Sequence, residues 1–364
     1  MILHLTKNLA DKLKLAPKPM KTADEFFSWR ANYAQGHGFR FVVFMNDASR
    51  FTVVVNEAKA ARLRKLPELF IQTLREIFLA MGINPEIIDR YISELGEITF
   101  AKNADRKRTA QLSKNTETAW WALSDLSEND ILDNAILSLY ANNIIYNVSC
   151  REEVVRPKQK MLELLGRYGL PVIKCRAFDL NVRLALDGRD AVRRLRVPAD
   201  IGFEKLHRLL QKAFGWQSCH LYSFGMLREW DISRYAHPDI ELISSEQDME
   251  YDPGAKFVTG VKLSDYAPEY RKILYTYDYG DGWLHQIEIE SIIEDCREEL
   301  PILLSGEGDS PPEDVGGSGG FAEFLEIIAN PEHEEHENMI RWAESQHWER
   351  FNFETTAGRV KHRF

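Results

Sequence analysis

The N-terminal part of the chain switches repeatedly between strand-like and helix-like spacing of its apolar residues. Residues 1–6 alternate as a strand does, and residues 41–45 and 51–55 flank the turn-forming segment Asn46–Ser49, which predicts a hairpin. Helical spacing is present over residues 8–15, 66–81 and 85–95, and a further strand is predicted at residues 98–101. This mixture predicts a small α/β domain over residues 1–123.

The middle of the chain has a helical pattern. Residues 124–167 keep helical spacing, and residues 131–146 are strongly apolar, which is typical of a segment that packs between other elements. The glycines and proline of Gly166–Pro171 indicate a boundary. We therefore expect a helical connector over residues 124–170.

The C-terminal part predicts a sheet with helices packed on it. Strands are predicted at residues 172–186, 192–197, 220–224, 271–278 and 283–293. Helices are predicted at residues 203–214, 321–330 and 332–344, and a long loop at residues 233–260. The predicted fold class is therefore α+β, with a mixed or antiparallel sheet in the last domain, residues 171–364.

Length and composition are those of a two-domain globular protein. The chain has 364 residues, of which 44% are hydrophobic and 28% charged. Its start resembles no secretory signal, and no apolar run is long enough to span a membrane. The four cysteines form no CxxC pair, which argues against a zinc knuckle or a disulfide framework. We therefore expect a cytoplasmic location.

Charge is distributed unevenly along the chain. The net charge is −10, yet residues 288–337 hold 16 Asp or Glu against one basic residue, Arg297, and so carry −15. An acidic C-terminal face of this kind predicts an unknown protein partner and disfavours nonspecific nucleic-acid binding. The basic stretch Ala104–Lys114 leaves a local nucleic-acid contact open, although it lacks aromatic residues for base stacking and is typical of a solvated face.

The segment Tyr275–His285 combines a Gly-Asp-Gly turn with two carboxylates and a histidine. Asp278, Asp281 and His285, with Trp283 beside them, are candidates for a metal site or an acid/base pair. The structural alternative is a plain turn, with His285 in phase with the apolar strand residues and pointing into the core. The spacing alone favours this alternative.

Two further polar segments follow before and within the last helices. Glu313 and Asp314 precede a run of glycines, where the acids favour a cation over a phosphate as ligand, and a close-packed turn is the structural alternative. His333 and His336 are three residues apart, so on one helical face both could reach a metal. Their alternative is ordinary helix capping, with Asn330 as N-cap.

A fourth candidate segment lies around the end of the predicted helix 203–214. His207 is on this helix, and Phe214–Trp216 and His220 follow its last turn. These side chains could line a pocket, but core packing under a sheet is the more ordinary outcome. Among them His220 is retained as a candidate site residue.

Several separated motifs, in one order, resemble the plasmid pRiA4b ORF-3-like family. They are Arg196–Asp200, Leu206–His207, Gly215–Trp216 with His220–Leu221, Tyr277–His285, Pro311–Gly317 and Pro331–His336. The resemblance covers about residues 172–348 and implies a small α+β domain, often found as a passenger protein of mobile elements, with no established activity. Two features depart from the family pattern: no tryptophan stands near Val192, and Leu303 and Ser310 stand near the positions of flanking cysteines. A cysteine-dependent metal site is therefore not supported in this chain.

The N-terminal domain resembles another small bacterial domain family that is known only as uncharacterised. The resemblance rests on Leu3–Lys7, Asn46–Asp47 and Thr99–Lys102. It implies no reaction.

Two functions are compatible with these patterns. The first is a non-enzymatic accessory or binding protein, because no catalytic constellation is complete. The second is a hydrolase that uses a divalent metal ion as cofactor and acts on a nucleic-acid or phosphate ester. The second requires the candidate residues to converge within metal-ligand distance: His220, Asp278, Asp281, His285, Glu313 and Asp314.

Overall fold

The structure is a computed structural model that describes residues 1–21, 24–36, 38–125, 133–143, 156–186, 188–230, 238–245 and 254–361. The chain divides into two compact units, Met1–Lys174 and Cys175–His362, and each has its own sheet. Both units combine helices with a mixed sheet. The predicted α+β class with two domains is confirmed.

The N-terminal unit contains a five-stranded sheet. Its strands are β1 (Ile2–Leu5), β2 (Ser28–Gly36), β3 (Phe39–Asn46), β4 (Thr52–Val55) and β5 (Thr99–Lys102), in the order β4-β3-β2-β1-β5. Strand β1 is parallel to both of its neighbours, and the other pairs are antiparallel. The predicted hairpin is therefore present as β3 and β4. Strand β2 was not predicted.

Helices cover both faces of this sheet. They are α1 (Lys7–Leu13), α2 (Ala60–Leu63), α3 (Leu66–Ala80), α4 (Pro85–Leu95), α5 (Arg106–Asp125), α6 (Asn134–Asn143) and α7 (Pro157–Leu165). Strand β3 places Val42 and Phe44 in one apolar core and Phe41, Val43 and Met45 in a second. Alternate side chains of a strand point to opposite faces, so two cores require a layer of helices on each face.

Two helices of the predicted connector belong to the N-terminal unit. Leu139 of α6 and Met161 and Leu165 of α7 are buried in its larger core, and Leu137 is buried in its smaller one. Residues 126–132 and 144–155 of the predicted connector lie outside the described residues.

The C-terminal unit contains an eight-stranded sheet. Its strands are β6 (Cys175–Leu184), β7 (Ala191–Pro198), β8 (Tyr222–Leu227), β9 (Ile240–Ile243), β10 (Lys256–Phe257), β11 (Lys272–Tyr277), β12 (Trp283–Cys296) and β13 (Ile302–Glu307). Their order is β10-β9-β8-β11-β12-β6-β7-β13, and every pair except β9 with β10 is antiparallel. The helices of this unit are α8 (Phe203–Phe214), α9 (Gly317–Ala329), α10 (His336–Ser345) and α11 (Phe353–Lys361).

Three predictions for this unit need correction. The predicted loop 233–260 contains β9 and β10 in its described part, and β13 and α11 were not predicted. The helix predicted from residue 332 begins at His336, because Asn330 ends α9 with an extended backbone and residues 331–335 form turns. Asn330 therefore is not an N-cap of a helix.

Among the helices of the described residues, none is long and apolar enough to cross a membrane.

Candidate metal centre

Three loops meet at one edge of the C-terminal sheet. Strands β8 and β11 are antiparallel neighbours, and Tyr222 lies opposite Tyr277. The residues just before β8 and just after β11 therefore come to the same edge. His220 precedes β8 and Asp278 follows β11. The loop that leads into α9 adds Glu313 and Asp314 to this edge, close to His220.

Hydrogen bonds hold the loop before α9 against its neighbours. Trp216, just after α8, donates its indole N–H to the carbonyl oxygen of Pro311 at 2.8 Å. The carboxylate of Asp281 accepts the backbone N–H of Gly316 at 3.1 Å. Both ends of the segment 311–316 are thereby tied to other loops, so the two acids between them are positioned by the fold rather than left on a free loop.

His220 directs one ring nitrogen at three carboxylates. Its Nε2 atom lies 3.0 Å from Asp314 Oδ1, 3.5 Å from Asp278 Oδ2 and 3.9 Å from Glu313 Oε2. This atom is shielded from solvent, yet it has no hydrogen-bond partner among the described residues. A buried nitrogen that faces several acceptors without a bond to any of them is unusual in a folded protein.

The donor atoms of His220, Asp278 and Asp314 have the spacing of metal ligands. One donor atom from each residue lies within 4.8 Å of the others. Two donors of a tetrahedral site, each at about 2.0–2.2 Å from the ion, stand about 3.3–3.6 Å apart. The cluster would therefore have to contract by about 1 Å to hold an ion, and Asp314, whose side chain is 63% exposed, has room to move.

Glu313 is the buried member of the cluster. Its side chain is only 3% exposed, and Oε1 accepts the backbone N–H of Gln217 at 2.7 Å and the hydroxyl of Tyr277 at 3.0 Å. Burial raises the pKa of this carboxyl group, and the two donated hydrogen bonds oppose that shift. Glu313 therefore has a fixed orientation, with Oε2 on the side of His220.

The structure gives three of the candidate residues a role in the fold rather than in the cluster, namely Asp281, Trp283 and His285. Asp281 supports the loop before α9 as described above, and Trp283 lies in the core against Trp216, with a ring separation of 6.1 Å. His285 is fully buried, its Nδ1 donates to the carbonyl oxygen of Tyr275 at 3.2 Å, and burial lowers its pKa to about 3. The structure thus brings together four of the candidate residues and leaves these three apart from them.

His207 is likewise a core residue. Its ring lies between the hydroxyl of Tyr275, 2.8 Å from Nδ1, and the hydroxyl of Ser218, 2.5 Å from Nε2. Both nitrogens are satisfied, and burial lowers the pKa of the imidazole to about 3. His207 is therefore neutral at ordinary pH.

His333 and His336 do not share one helical face. His333 lies in the turns before α10, and its Nδ1 accepts the backbone N–H of Glu335 at 3.1 Å. His336 is the first residue of α10 and donates from Nδ1 to the carbonyl oxygen of Ile327 at 3.0 Å. Both nitrogens take part in local structure.

The glycines after Asp314 are explained by close packing. A Cβ atom on Gly320 would lie 1.9 Å from the carbonyl oxygen of Val315, and one on Gly317 would lie 3.1 Å from that of Asp281. Gly316 and Gly317 also have positive φ angles, of 90° and 69°. The structure gives these glycines a role in shaping the loop.

The basic stretch of the N-terminal unit is part of helix α5. Arg108 is engaged within the fold, because its guanidinium donates to the carboxylate of Glu25 at 2.6 Å and also to the carbonyl oxygen of Asp47. Arg106 and Lys114 are exposed. Only part of the predicted basic surface is therefore available to a ligand.

Sequence reasoning missed two groups that support the cluster, namely the Tyr277 hydroxyl and the Gln217 backbone. Gln217 carries no signal, because its contribution is an N–H group that every residue except proline has. Tyr277 precedes Asp278 at the end of a strand. A tyrosine hydroxyl next to a turn was the sequence signal that could have indicated a supporting hydrogen bond.

The C-terminal unit is thus a mixed-sheet α+β domain with a polar cluster at one sheet edge. The chain belongs to the plasmid pRiA4b ORF-3-like protein family, whose model matches residues 176–357. Residues 2–160 match a domain of unknown function (DUF6933). The resemblances predicted for the two halves are therefore confirmed.

Two individual proteins are similar to this chain. One is the uncharacterized protein y4hQ of Sinorhizobium fredii (strain NBRC 101917 / NGR234), which is 34% identical over 180 residues, or 47% of this chain and 83% of the relative. The other is a solved structure, the protein of unknown function MM3350 from Methanosarcina mazei Go1. It is 28% identical and covers 49% of this chain and 96% of its own, with a TM-score of 0.41.

Proposed function

We propose that the protein binds a divalent metal ion through His220, Asp278 and Asp314, with Glu313 as an adjacent buried carboxylate. The observation that carries the proposal is the shielded Nε2 atom of His220, which faces three carboxylates and has no hydrogen bond within the described residues. A cation at the centre of these four groups would give the nitrogen its missing partner.

The charges of the cluster favour a cation independently of the histidine. Three carboxylates lie within 4 Å of one ring nitrogen, and donor oxygens of Asp278 and Asp314 lie within 4.8 Å of each other. Like charges this close repel each other, above all where burial removes the screening by water. Asp278 and Glu313 are 10% and 3% exposed, so an ion bound between them would relieve a repulsion that solvent screens poorly.

The donor set favours some metals over others. Imidazole is a preferred ligand of Zn²⁺ and other transition metals, whereas Mg²⁺ is usually held by carboxylates, phosphates and water. One imidazole with two or three carboxylates therefore suits Zn²⁺ or Mn²⁺ better than Mg²⁺. We expect the order of affinity to follow this preference.

Isothermal titration of the chelator-treated protein tests the proposal. We expect one saturable site per chain for Zn²⁺ and Mn²⁺, lost or weakened at least about tenfold in His220→Gln and Asp314→Asn. His333→Gln is the matched control, because its imidazole is exposed and lies outside the cluster. Unchanged titration of the two cluster variants would remove the proposal.

A metal-dependent hydrolase is the second candidate function. It is favoured by the exposure of Asp314, since an ion held on the buried side by Asp278 would keep coordination positions open toward water, as catalytic sites do. The neighbouring charges disfavour a phosphate ester as substrate, because residues 313–340 include eight Asp or Glu and no Lys or Arg.

Hydrolysis assays separate binding from catalysis. Bis(p-nitrophenyl) phosphate and p-nitrophenyl acetate are incubated with the metal-loaded protein and with Asp314→Asn. Metal-dependent turnover that the variant loses would support a hydrolase, and absence of turnover with intact metal binding would leave a binding protein. The accessory role on mobile elements rests on the plasmid origin in the family's name and on no feature of the site.

A further inference from the structure

A pocket lies beside the cluster, between helices α9 and α10. Its volume is about 370 Å³, which is within the usual range of ligand pockets. Phe324, Met339 and Trp342 provide apolar lining, and Asp314, Glu323 and Glu335 provide acidic lining. Asp314 is the one residue that this pocket shares with the proposed metal centre.

The apolar floor of the pocket is built into the fold. Phe324 is 1% exposed, and its ring centre lies 6.0 Å from that of Trp342 and 4.9 Å from that of Trp348, in edge-to-face arrangements. Trp348 is held in turn by a hydrogen bond of 2.7 Å from its indole N–H to the carbonyl oxygen of Ser310. A floor fixed in this way needs little reorganisation when a ligand binds.

The acidic side chains of the pocket are exposed. Asp314, Glu323 and Glu335 all face solvent, and Glu335 accepts a hydrogen bond from the amide of Asn338 at 3.0 Å. Lys and Arg are absent from the sequence between residues 313 and 340. Arg341, which follows directly, donates to the side-chain oxygen of Asn338 at 2.7 Å. The surroundings of the pocket are therefore strongly negative.

We propose that this pocket binds a basic peptide segment of a partner protein. A Lys or Arg side chain has an aliphatic stem that suits the apolar floor and a cationic head that suits the acidic lining. Trp342 adds an aromatic surface on which a guanidinium can stack. The same charges exclude a phosphorylated peptide, a nucleic acid and an anionic membrane surface.

The shape of the site favours a peptide over a small amine. The pocket is an open groove between two helices, and its volume exceeds what one cationic head group fills. An extended segment with an apolar residue beside the basic one would cover both the floor and the acidic lining. The inference goes beyond the proposed metal centre and does not depend on it, because Glu323 and Glu335 are outside that cluster.

Fluorescence anisotropy of the full chain, in EDTA and low salt, tests this inference. The probe is a fluorescein-labelled peptide of sequence GSLRLRSG, and the reference peptide carries citrulline in place of both arginines. We expect saturable binding of the arginine peptide and at least fivefold weaker binding of the citrulline peptide. We also expect affinity to fall as salt is raised, since exposed charges are screened.

Charge-neutralising variants locate the binding site. The double variant Glu323→Gln with Glu335→Gln should weaken binding of the arginine peptide by about five- to tenfold, as expected for the loss of two exposed charge contacts. Glu326→Gln with Glu344→Gln is the matched control, because it neutralises one carboxylate on each of the two helices that border the pocket, at positions outside the pocket. The control pair should stay within twofold of the unchanged protein.

The inference would be overturned by absence of saturable binding, by equal affinity for the citrulline peptide, or by equal effects of the two double variants. Spermidine is tested as a competitor against the labelled peptide. If spermidine displaces the labelled peptide at the same concentration as the unlabelled peptide does, the pocket is assigned to a small polyamine instead. Because all measurements are made in EDTA, a failure of the metal proposal leaves this result unaffected.

Discussion

Asp278 and Asp314 come from loops that are distant in sequence, yet both have a φ angle of 55°. Residues other than glycine rarely adopt this left-handed backbone conformation, and among them Asp and Asn tolerate it best. At Asp278 the turn offsets the cost, because its Oδ1 atom accepts the backbone N–H of Gly280 at 2.9 Å. Left-handed residues that also converge on one histidine are typical of a functional site rather than of plain turns.

The first prediction separates the charge of these residues from their conformation. Asp278→Asn and Asp314→Asn keep the left-handed backbone accessible and remove one negative charge each. We expect metal affinity to fall at least about tenfold while the free energy of unfolding changes by less than about 1 kcal/mol. Calorimetric titration and urea denaturation of the same samples measure both quantities.

Alanine at position 278 serves as the contrasting variant. It removes the charge, the hydrogen bond to Gly280 and the tolerance of the left-handed conformation. We expect it to cost about 1–3 kcal/mol of stability in addition to the loss of metal binding. If asparagine destabilises the protein as much as alanine does, the carboxylate is needed for folding, and its assignment as a ligand loses support.

The second prediction concerns the stability of the C-terminal unit in acid. Burial lowers the pKa of both His207 and His285 to about 3, so they remain neutral in the folded unit at pH 4–6. In the unfolded chain they titrate near about 6.5, so between about pH 6.5 and 3 the unfolded state binds more protons. Stability therefore falls as the pH falls through this window, by up to about 1.4 kcal/mol per pH unit for each histidine.

Replacing His285 by phenylalanine tests this dependence. Phe keeps an aromatic ring in the core and cannot take up a proton, so urea denaturation of the full chain between pH 6 and 4 should give a slope lower by about 1.4 kcal/mol per pH unit. His333→Gln is the control, because it removes an exposed imidazole that lies outside the core. An identical slope in the His285 variant would contradict the burial of a neutral imidazole.

The third prediction concerns the cysteines. Cys175 and Cys296 lie opposite each other on β6 and β12, and both are free thiols. Burial and the neighbouring Cys296 thiol raise the pKa of Cys175 to about 11. Only about 0.1% of it is thiolate at pH 8, and the thiolate is the reactive form.

Rates of thiol–disulfide exchange at pH 8 measure the difference. In a Cys150→Ser background, exposed Cys219 should react with Ellman's reagent at least about tenfold faster than Cys175 or Cys296. Cys219→Ser should remove the fast phase. A fast phase that persists in this variant would mean that the cross-strand pair is accessible.

Local signals were enough to predict several elements closely. Helix α8 was predicted as residues 203–214, and the structure has it at Phe203–Phe214, because an apolar face and a terminal Gly215 with φ of 80° are both local features. Strand β2 was missed, although Trp29, Ala31 and Tyr33 alternate with polar residues as in a strand that buries one face. The polar residue Arg30 is itself buried in the structure. Its burial depends on an ion pair of 2.6 Å with Asp47, a contact that no local pattern contains.

The candidate cluster was predictable as a set of residues and not as a geometry. His220 precedes β8 and His285 lies in β12, and both were named as candidates. The strand phase of His285 predicted that it points to the apolar side, and the structure places it in the core. The meeting of His220 with Glu313 depends on the pairing of β8 with β11 and on the path of the loop before α9, which are long-range features that a single sequence does not specify.

The last prediction concerns Arg193, which supports the loop that carries Glu313 and Asp314. Arg193 is 2% exposed, and burial lowers the pKa of its guanidinium to about 10. It donates to the carbonyl oxygens of Ala213 at 2.9 Å and Glu307 at 2.7 Å, and its guanidinium lies 3.8 Å from the ring centre of Phe351. The planar guanidinium carries several N–H donors, so it can bond the end of α8 and the segment before this loop at the same time. A lysine ammonium cannot do this.

Arg193→Lys should therefore leave buried carbonyl groups without donors and lower the free energy of unfolding by about 3 kcal/mol. Arg194→Lys is the matched control on the same strand, because Arg194 is 46% exposed and its ion pair with Glu290 is at the surface, so a loss below about 1 kcal/mol is expected. Urea denaturation compares the two variants.

Metal titration at low temperature, where both variants remain folded, should also give weaker binding for Arg193→Lys alone, because the loss of the guanidinium loosens the loop that presents Asp314. Equal stabilities of the two variants would mean that neighbouring groups or water replace the guanidinium, and the loop would then be held by Trp216 and Asp281 without it.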